Sequence, residues 1–289
     1  AYWEYVEKAL GYVAKRGCQP FVQGSEPDAV VIVWKKYGVV ADAAYSGLAP
    51  GKDKYDDEAM RDEMADYLEF AKDNNYWDEA AIISEIRAVL DRHMGRPPEE
   101  FEYGGRTYTP KRFFEEALKI ELGDYVQFMS TLSVPFYTKG MLDVPDNWRP
   151  TAEYHNVPLA EFYECIKRAA SRGYSVVIGG DISEPGLYGF EDAAIIPTFD
   201  IPQDYIDQDS REFRFDNRTT QDDHVVHLLA VKNVGGRDWF LIKDSMSSAY
   251  WGKHTGYYFY RDDYIKLKML YLMVHKDAAQ FLMPKFDAK

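Results

Sequence analysis

The chain has 289 residues, a formal net charge of −14 at pH 7 and 46% hydrophobic residues, which is enough apolar material for a substantial core. The negative charge argues against nonspecific binding to nucleic acid or to anionic membranes, because both need a basic surface. No apolar run is long enough to span a bilayer. Two cysteines are too few for a disulfide scaffold and lack metal-site spacing, so we expect no metal and no other cofactor.

Helix signals dominate the first half of the chain. Ala1 begins inside an amphipathic helical pattern, so we expect a preceding segment that is absent from this sequence. A second helix is predicted to start at a Ser25 cap, with Pro27 in its first turn, and to end at Gly38. The same periodicity predicts helices over residues 57–73, 77–94, 109 to about 123, and 159–170.

The second half shows short β-branched and aromatic runs bounded by turn residues. Helices followed by antiparallel strands indicate an α+β fold rather than alternating β and α units. The proline-containing stretch 145–158 around Trp148 predicts a crossing between a helical part, 1–147, and a β-rich part, 148–289. The predicted strands cover residues 174–179, 211–216, 224–232, 239–243, 256–260 and 269–275.

The densest chemical signal is a histidine at the start of one predicted strand and an aspartate at the end of the next. His224 has the residue type and fixed position that a general base needs, and Asp244 could orient its imidazole. Taken singly, His224 and His227 are best interpreted as ordinary strand residues, and Asp244 as an ordinary turn residue at the end of a strand. The turn 233–236 predicts a hairpin that brings His224 and Asp244 together, at roughly 2.6–3.2 Å.

Several stretches together resemble a known family. Residues 224–259 run as a histidine strand, a hairpin, Trp-Phe-Leu-Ile-Lys-Asp-Ser, a glycine loop and Gly-Tyr-Tyr-Phe, which is similar to the carboxy-terminal half of papain-like peptidases. Residues 219–224, Thr-Thr-Gln-Asp-Asp-His, resemble a stretch of the bacterial relatives of bleomycin hydrolase and aminopeptidase C. Residues 23–40 and 156–183 resemble further parts of that branch. The resemblance implies a papain-like α+β fold with a helical lobe and a β-rich lobe.

The resemblance also implies site residues, and the sequence departs from the family at three places. His224 falls on the catalytic histidine and Asp244 on the asparagine that orients it. Aspartate in that position places a carboxylate beside the imidazole and favours the imidazolium. Met246 stands where the family has tryptophan, so the aromatic cover over the orienting hydrogen bond is either lost or supplied by another residue such as Trp251. The oxyanion-hole glutamine and the nucleophilic cysteine are expected upstream of Ala1.

The remaining candidates have plain structural interpretations. Cys18 lies in a loop rather than at a helix amino terminus, and Cys165 is predicted to be a core residue. The acidic residues 204, 207 and 209 lack the ligand order of a calcium loop. Residues 104–106 predict a hairpin turn rather than a phosphate loop.

Two functions follow from the resemblance. One is a cysteine peptidase, aminopeptidase-like, acting on peptide substrates and homo-oligomeric as the hexameric relatives are, with a carboxy-terminal tail partly filling the cleft. The alternative is a non-catalytic peptide-binding or scaffold protein on the same fold. The charged end of this tail leaves exopeptidase specificity open, and the compartment, cytoplasmic or periplasmic and secreted, stays open as well.

Overall fold

The computed structural model describes residues 1–49, 51–52, 55, 57–145, 147–183 and 185–287. The contacts among these residues divide the chain into two compact units, Ala1–Leu122 and Gly123–Lys289. The division falls earlier than the predicted crossing at residues 145–158, of which Asp146 lies outside the described residues. The reason is the strand Tyr125–Met129, which the sequence analysis did not predict and which pairs inside the large sheet of the second unit.

The first unit is mainly helical. Its helices pack an apolar core from Met64, Leu68, Ile82 and Ile86, as the 3.6-residue periodicity predicted. A single π-helical turn, Phe113–Leu118, ends at Lys119 with φ 51°, so the helix predicted to reach Gly123 is shorter than expected. The elements are α1 (Tyr2–Ala14), α2 (Pro27–Tyr37), α3 (Glu58–Asp73), α4 (Glu79–Met94), the hairpin β1 (Phe101–Tyr103) and β2 (Arg106–Tyr108), and α5 (Pro110–Arg112).

Two predictions from local sequence in this unit, a hairpin turn and a helix cap, had different outcomes. The turn between β1 and β2 has positive φ at Gly104 and Gly105, which confirms the predicted hairpin. Helix α2 ends before Gly38, also as predicted, but it begins at Pro27 with Glu26 in the cap position. The predicted Ser25 cap is therefore wrong, because the proline in the first turn sets the start of the helix one residue later.

The second unit is built on one large sheet. Its elements are β3 (Tyr125–Met129), β4 (Lys139–Gly140), β5 (Tyr154–Asn156), α6 (Leu159–Ser171), β6 (Val176–Gly180), β7 (Leu187–Tyr188), β8 (Ala193–Ala194), α7 (Gln208–Asp216), β9 (His224–Val234), β10 (Arg237–Lys243), β11 (Tyr257–Arg261), α8 (Asp262–Lys268), β12 (Met269–His275) and α9 (Pro284–Asp287). Within the described residues ten strands pair in the order β4-β5-β3-β12-β6-β9-β10-β11-β8-β7. The pairs β3–β5 and β8–β11 are parallel and the others antiparallel, so the predicted antiparallel sheet holds for its centre.

The predicted strand over residues 211–216 is wrong, because these residues lie in helix α7. Asp207 accepts a hydrogen bond from the Ser210 amide and closes a capping box, which starts the helix. Arg211 then points inward and donates to the carbonyl oxygens of Ser130, Lys266 and Leu270 at 2.9–3.1 Å. Burial lowers the pKa of Arg211 to about 10. This tertiary contact overrides the alternating pattern that suggested a strand.

Helix α6 covers one face of the sheet. Its apolar side buries Phe162 and Ile166 against Ile178, Leu228 and Ile242 from three neighbouring strands. No helix in the described part of the chain is long and apolar enough to cross a membrane.

Candidate active site

The hairpin of β9 and β10 places the two predicted site residues. Gly235 and Gly236, with φ of 60° and 81°, form its two-residue turn, the conformation that suits a tight antiparallel hairpin. The pairing continues to His227 and Lys243 at the far end. His224, the first residue of β9, and Asp244, the residue after β10, therefore lie at the same end of the sheet.

The two side chains meet there. His224 Nε2 lies 2.8 Å from Asp244 Oδ1, within the predicted range, so the predicted contact is confirmed. The Asp244 side chain is 1% exposed and that of His224 is 23% exposed. Because the bond uses Nε2, Nδ1 is the ring nitrogen that remains available for proton transfer to another group.

Both the backbone and the side chain of Asp244 make hydrogen bonds to neighbouring backbone groups. Its backbone amide donates to the Gly256 carbonyl at 3.0 Å, and its Oδ1 also accepts the Met246 amide at 2.9 Å. Among the described residues, the buried Oδ2 has no hydrogen-bond partner. A buried carboxylate with one unsatisfied oxygen is costly to keep, so the contact between Oδ1 and His224 is an important part of its surroundings.

The loop after Asp244 is fixed by a buried aspartate. Asp192, with φ 53°, accepts the His254 amide at 2.8 Å through Oδ2. A Cβ atom on Gly252 would lie 1.9 Å from Asp192 Oδ1, so only glycine fits there. Trp251 is more than half exposed, with its ring 5.3 Å from that of Phe190.

Met246, the residue in the tryptophan position, packs against the main core of the second unit. The exposed indole of Trp251 lies beside the Phe190 ring, with the ring centroids 5.3 Å apart and the planes tilted by 31°. The idea that Trp251 supplies the aromatic cover stays a prediction.

A second aspartate organises the residues before His224, and sequence reasoning missed it. Asp181 Oδ2 accepts the Gln221 amide at 2.7 Å. Asp223 donates its amide to the Gly180 carbonyl at 3.1 Å and accepts the Ile182 amide at 2.9 Å. The only sequence signal was the resemblance of residues 180–183 to the family, which gave no role to Asp181.

His227 has a different environment from His224. It lies three residues further along β9, where side chains point to the opposite face, and it is exposed. Asp244 contacts His224, the histidine that the family resemblance assigns to the catalytic position.

Neither cysteine has the surroundings of an activated nucleophile. Cys165 lies in the middle of α6, fully buried in the core, as predicted, and burial raises the pKa of its thiol to about 12. Cys18 is exposed in the loop after α1, away from any helix amino terminus.

Within the described residues, no group of three His, Cys, Asp or Glu side chains could hold a metal ion. Of the acidic residues 204, 207 and 209, Asp207 serves as the cap of α7.

Comparisons with known proteins found one curated relative in sequence and a similar solved structure. No protein-family model matches the chain. Aminopeptidase C of Streptococcus thermophilus is 25% identical over 191 residues, which cover 57% of this chain and 42% of the relative. The matched region thus spans less than half the length of that relative.

A solved structure matches nearly the whole chain. PepW from Lactobacillus rhamnosis HN001 superposes on 99% of this chain and 74% of its own, with a TM-score of 0.67 and 17% sequence identity. The chain therefore has the predicted papain-like α+β fold, and it is similar in sequence to an aminopeptidase C.

Proposed function

We propose that this chain belongs to a cysteine-type peptidase, aminopeptidase-like, in which His224 is the general acid and base and Asp244 orients it. The observation that carries the proposal is the 2.8 Å contact between His224 Nε2 and a buried carboxylate, on a side chain that is itself partly exposed. The similarity to an aminopeptidase C supports the reaction class, and peptides are the proposed substrates. The units 1–122 and 123–289 would then be the helical and β-rich lobes.

The chemistry follows from the geometry of the pair. His224 Nδ1 would take the proton of a cysteine thiol, and the resulting imidazolium would be stabilised by Asp244 through Nε2–H. The thiolate attacks the peptide carbonyl, and His224 returns the proton to the leaving amine. Backbone amides and a glutamine stabilise the oxyanion, as in papain-like enzymes.

The nucleophile in this proposal comes from outside the 289 residues. Cys165 is unsuitable because burial keeps its thiol protonated at neutral pH. Cys18 lacks the helix-dipole environment that lowers the pKa of reactive thiols.

A non-catalytic peptide-binding protein is the second candidate, and two departures favour it. Asp244 replaces the family's asparagine and leaves a buried oxygen without a donor in the described chain. Met246 replaces the tryptophan that covers the site in the family. Both changes would be tolerated in a protein that keeps the fold for binding alone.

Assays of the complete gene product separate the two. We expect it to hydrolyse aminoacyl-coumarin substrates, to lose activity with iodoacetamide, and to carry a Gly-x-Cys-Trp motif before this segment. The isolated 289-residue chain should be inactive. Peptide binding without hydrolysis, or another residue at the cysteine position, would favour the binding protein. Turnover by the isolated chain that Cys18→Ala abolishes would contradict the assignment of the nucleophile.

Oligomeric state is a separate part of the proposal. A homo-oligomer, a hexamer as in relatives, is expected by light scattering of the complete gene product, and a monomer at micromolar concentration would contradict it.

A further inference from the structure

The three residues before His224 form a short irregular segment, Gln221–Asp223, between α7 and β9. Such a segment has no strand pairing of its own, so its backbone amides need acceptors from elsewhere in the chain. Asp181 accepts the Gln221 amide, and the Gly180 carbonyl accepts the Asp223 amide. Gly180 is the last residue of β6, the strand that pairs with β9 at His224, and Asp181 directly follows it.

Asp181 is itself firmly anchored. It is 1% exposed, its amide donates to the Lys268 carbonyl at 3.1 Å, and its carbonyl accepts the Tyr264 hydroxyl at 3.0 Å. Its Oδ1 accepts the amide and the hydroxyl of Ser183 at 2.9 and 3.1 Å. The carboxylate therefore has a fixed orientation before it contacts Gln221.

We propose that Asp181 is a positioning residue for His224, because its carboxylate fixes the segment that sets where the imidazole meets Asp244. The proposal rests on the proposed function in one respect, since it treats His224 as the acid and base. Asp181 acts through Gln221 and does not touch the reacting atoms. Displacing a base by about 1 Å can cost about 10²-fold in rate, so anchoring of this kind matters for catalysis.

Charge is the competing explanation. The charged and titratable neighbours of Asp181 are Lys268, Asp223 and Tyr264. Removing the negative charge of Asp181 would change the electrostatic field at the His224 imidazole without moving the imidazole. The two explanations differ in what they predict for Asp181→Glu. That variant keeps the charge but moves both oxygens by one methylene, so it loses the Gln221 contact.

The test uses the complete gene product labelled with ¹⁵N-histidine. The signature is the downfield, slowly exchanging Nε2–H proton of His224, assigned with His224→Gln. Asp181→Asn and Asp181→Glu should both lose this resonance and lower kcat/KM by about 10²-fold. Because the resonance is read without turnover, it reports on Asp181 even if the protein proves to be non-catalytic.

Asp238→Asn is the matched control, since Asp238 is also a buried, multiply bonded aspartate of the same unit. It should lower the melting temperature but retain the resonance. Retention of the resonance in Asp181→Glu with loss in Asp181→Asn would overturn the proposal in favour of charge. If Asp238→Asn also lost the resonance, the effect of the Asp181 variants would be general destabilisation of the fold, and the proposal would be overturned. If Asp181→Asn fails to fold, Gln221→Pro removes the same hydrogen bond from its donor side, and an unchanged resonance there would also overturn the proposal.

Discussion

The two ends of the β9–β10 hairpin each carry a buried aspartate, and the two carboxylates are used differently. At the turn end, Asp238 accepts hydrogen bonds from Tyr163 and Asn233 and pairs with Lys167 at 2.6 Å. At the open end, both bonds to Asp244 use one oxygen, and in the described structure the other oxygen is buried without a donor.

The pKa of Asp238 reflects that difference. Burial alone would raise it, but the bonds from Lys167, Asn233 and Tyr163 outweigh burial and lower it to about 2. A fully satisfied carboxylate of this kind stabilises the fold. The carboxylate of Asp244, with one oxygen unsatisfied, lies instead beside the partly exposed imidazole of His224.

The largest expected effect is on peptidase activity, and it tests whether the open end of the hairpin is the reactive one. In the complete gene product, His224→Ala should lower kcat/KM by about 10²–10⁴-fold, because the general acid and base is lost. His227→Ala, on the opposite face of the same strand, should leave kcat/KM unchanged. Equal losses in both variants would show that the strand, and not His224, determines activity.

Asp238→Ala should produce the largest loss of stability. It leaves three partners without their acceptor, and we expect the free energy of unfolding to fall by about 3 kcal/mol. Chemical denaturation of both proteins measures the change. A loss below about 1 kcal/mol would mean that solvent replaces the carboxylate at this site.

Low pH should remove the stabilisation that Asp238 contributes at the turn end of the hairpin. The pKa of Asp238 is lower in the folded than in the unfolded chain, so its stabilisation is present above about pH 4 and is lost as pH falls towards about 2. The contribution is on the order of 2 kcal/mol. Unfolding measured at pH 6 and pH 3 should show a smaller difference for Asp238→Asn than for the unchanged protein, and equal slopes would contradict this assignment.

The smallest effect is expected at the open end. At pH 8, where a histidine side chain is ordinarily neutral, Asp244→Asn should raise the free energy of unfolding by about 1 kcal/mol, because a neutral amide is cheaper to bury than an unsatisfied carboxylate. Lower stability of this variant at pH 8 would show that Asp244 contributes to the fold as Asp238 does.

Local signals predicted much of this geometry. The Gly235-Gly236 turn and the lengths of its strands were sufficient to place His224 beside Asp244, since hairpin register follows from the turn. Whether these residues are catalytic stays a proposal. The fold class followed from the order of helices and strands together with the family resemblance.

Long-range contacts account for what sequence reasoning missed. Arg211 makes a helix out of an alternating segment by donating to carbonyls 55 to 81 residues away. Asp181 contacts Gln221 across 40 residues, and nothing in the intervening pattern predicts that pairing. Strand β3 gave no clear alternation because most of its residues are buried on both faces.

The contact between Asp192 and Gly252 has a consequence for how motifs are interpreted. Gly252 belongs to the glycine loop that forms part of the resemblance to papain-like peptidases, yet its lack of a side chain is required by the Asp192 carboxylate lying against its backbone. A mutational scan would find that position 252 does not accept other residues, both in an active peptidase and in a non-catalytic protein with the same fold. Matching that glycine therefore reports shared architecture, and evidence for chemistry has to come from other positions.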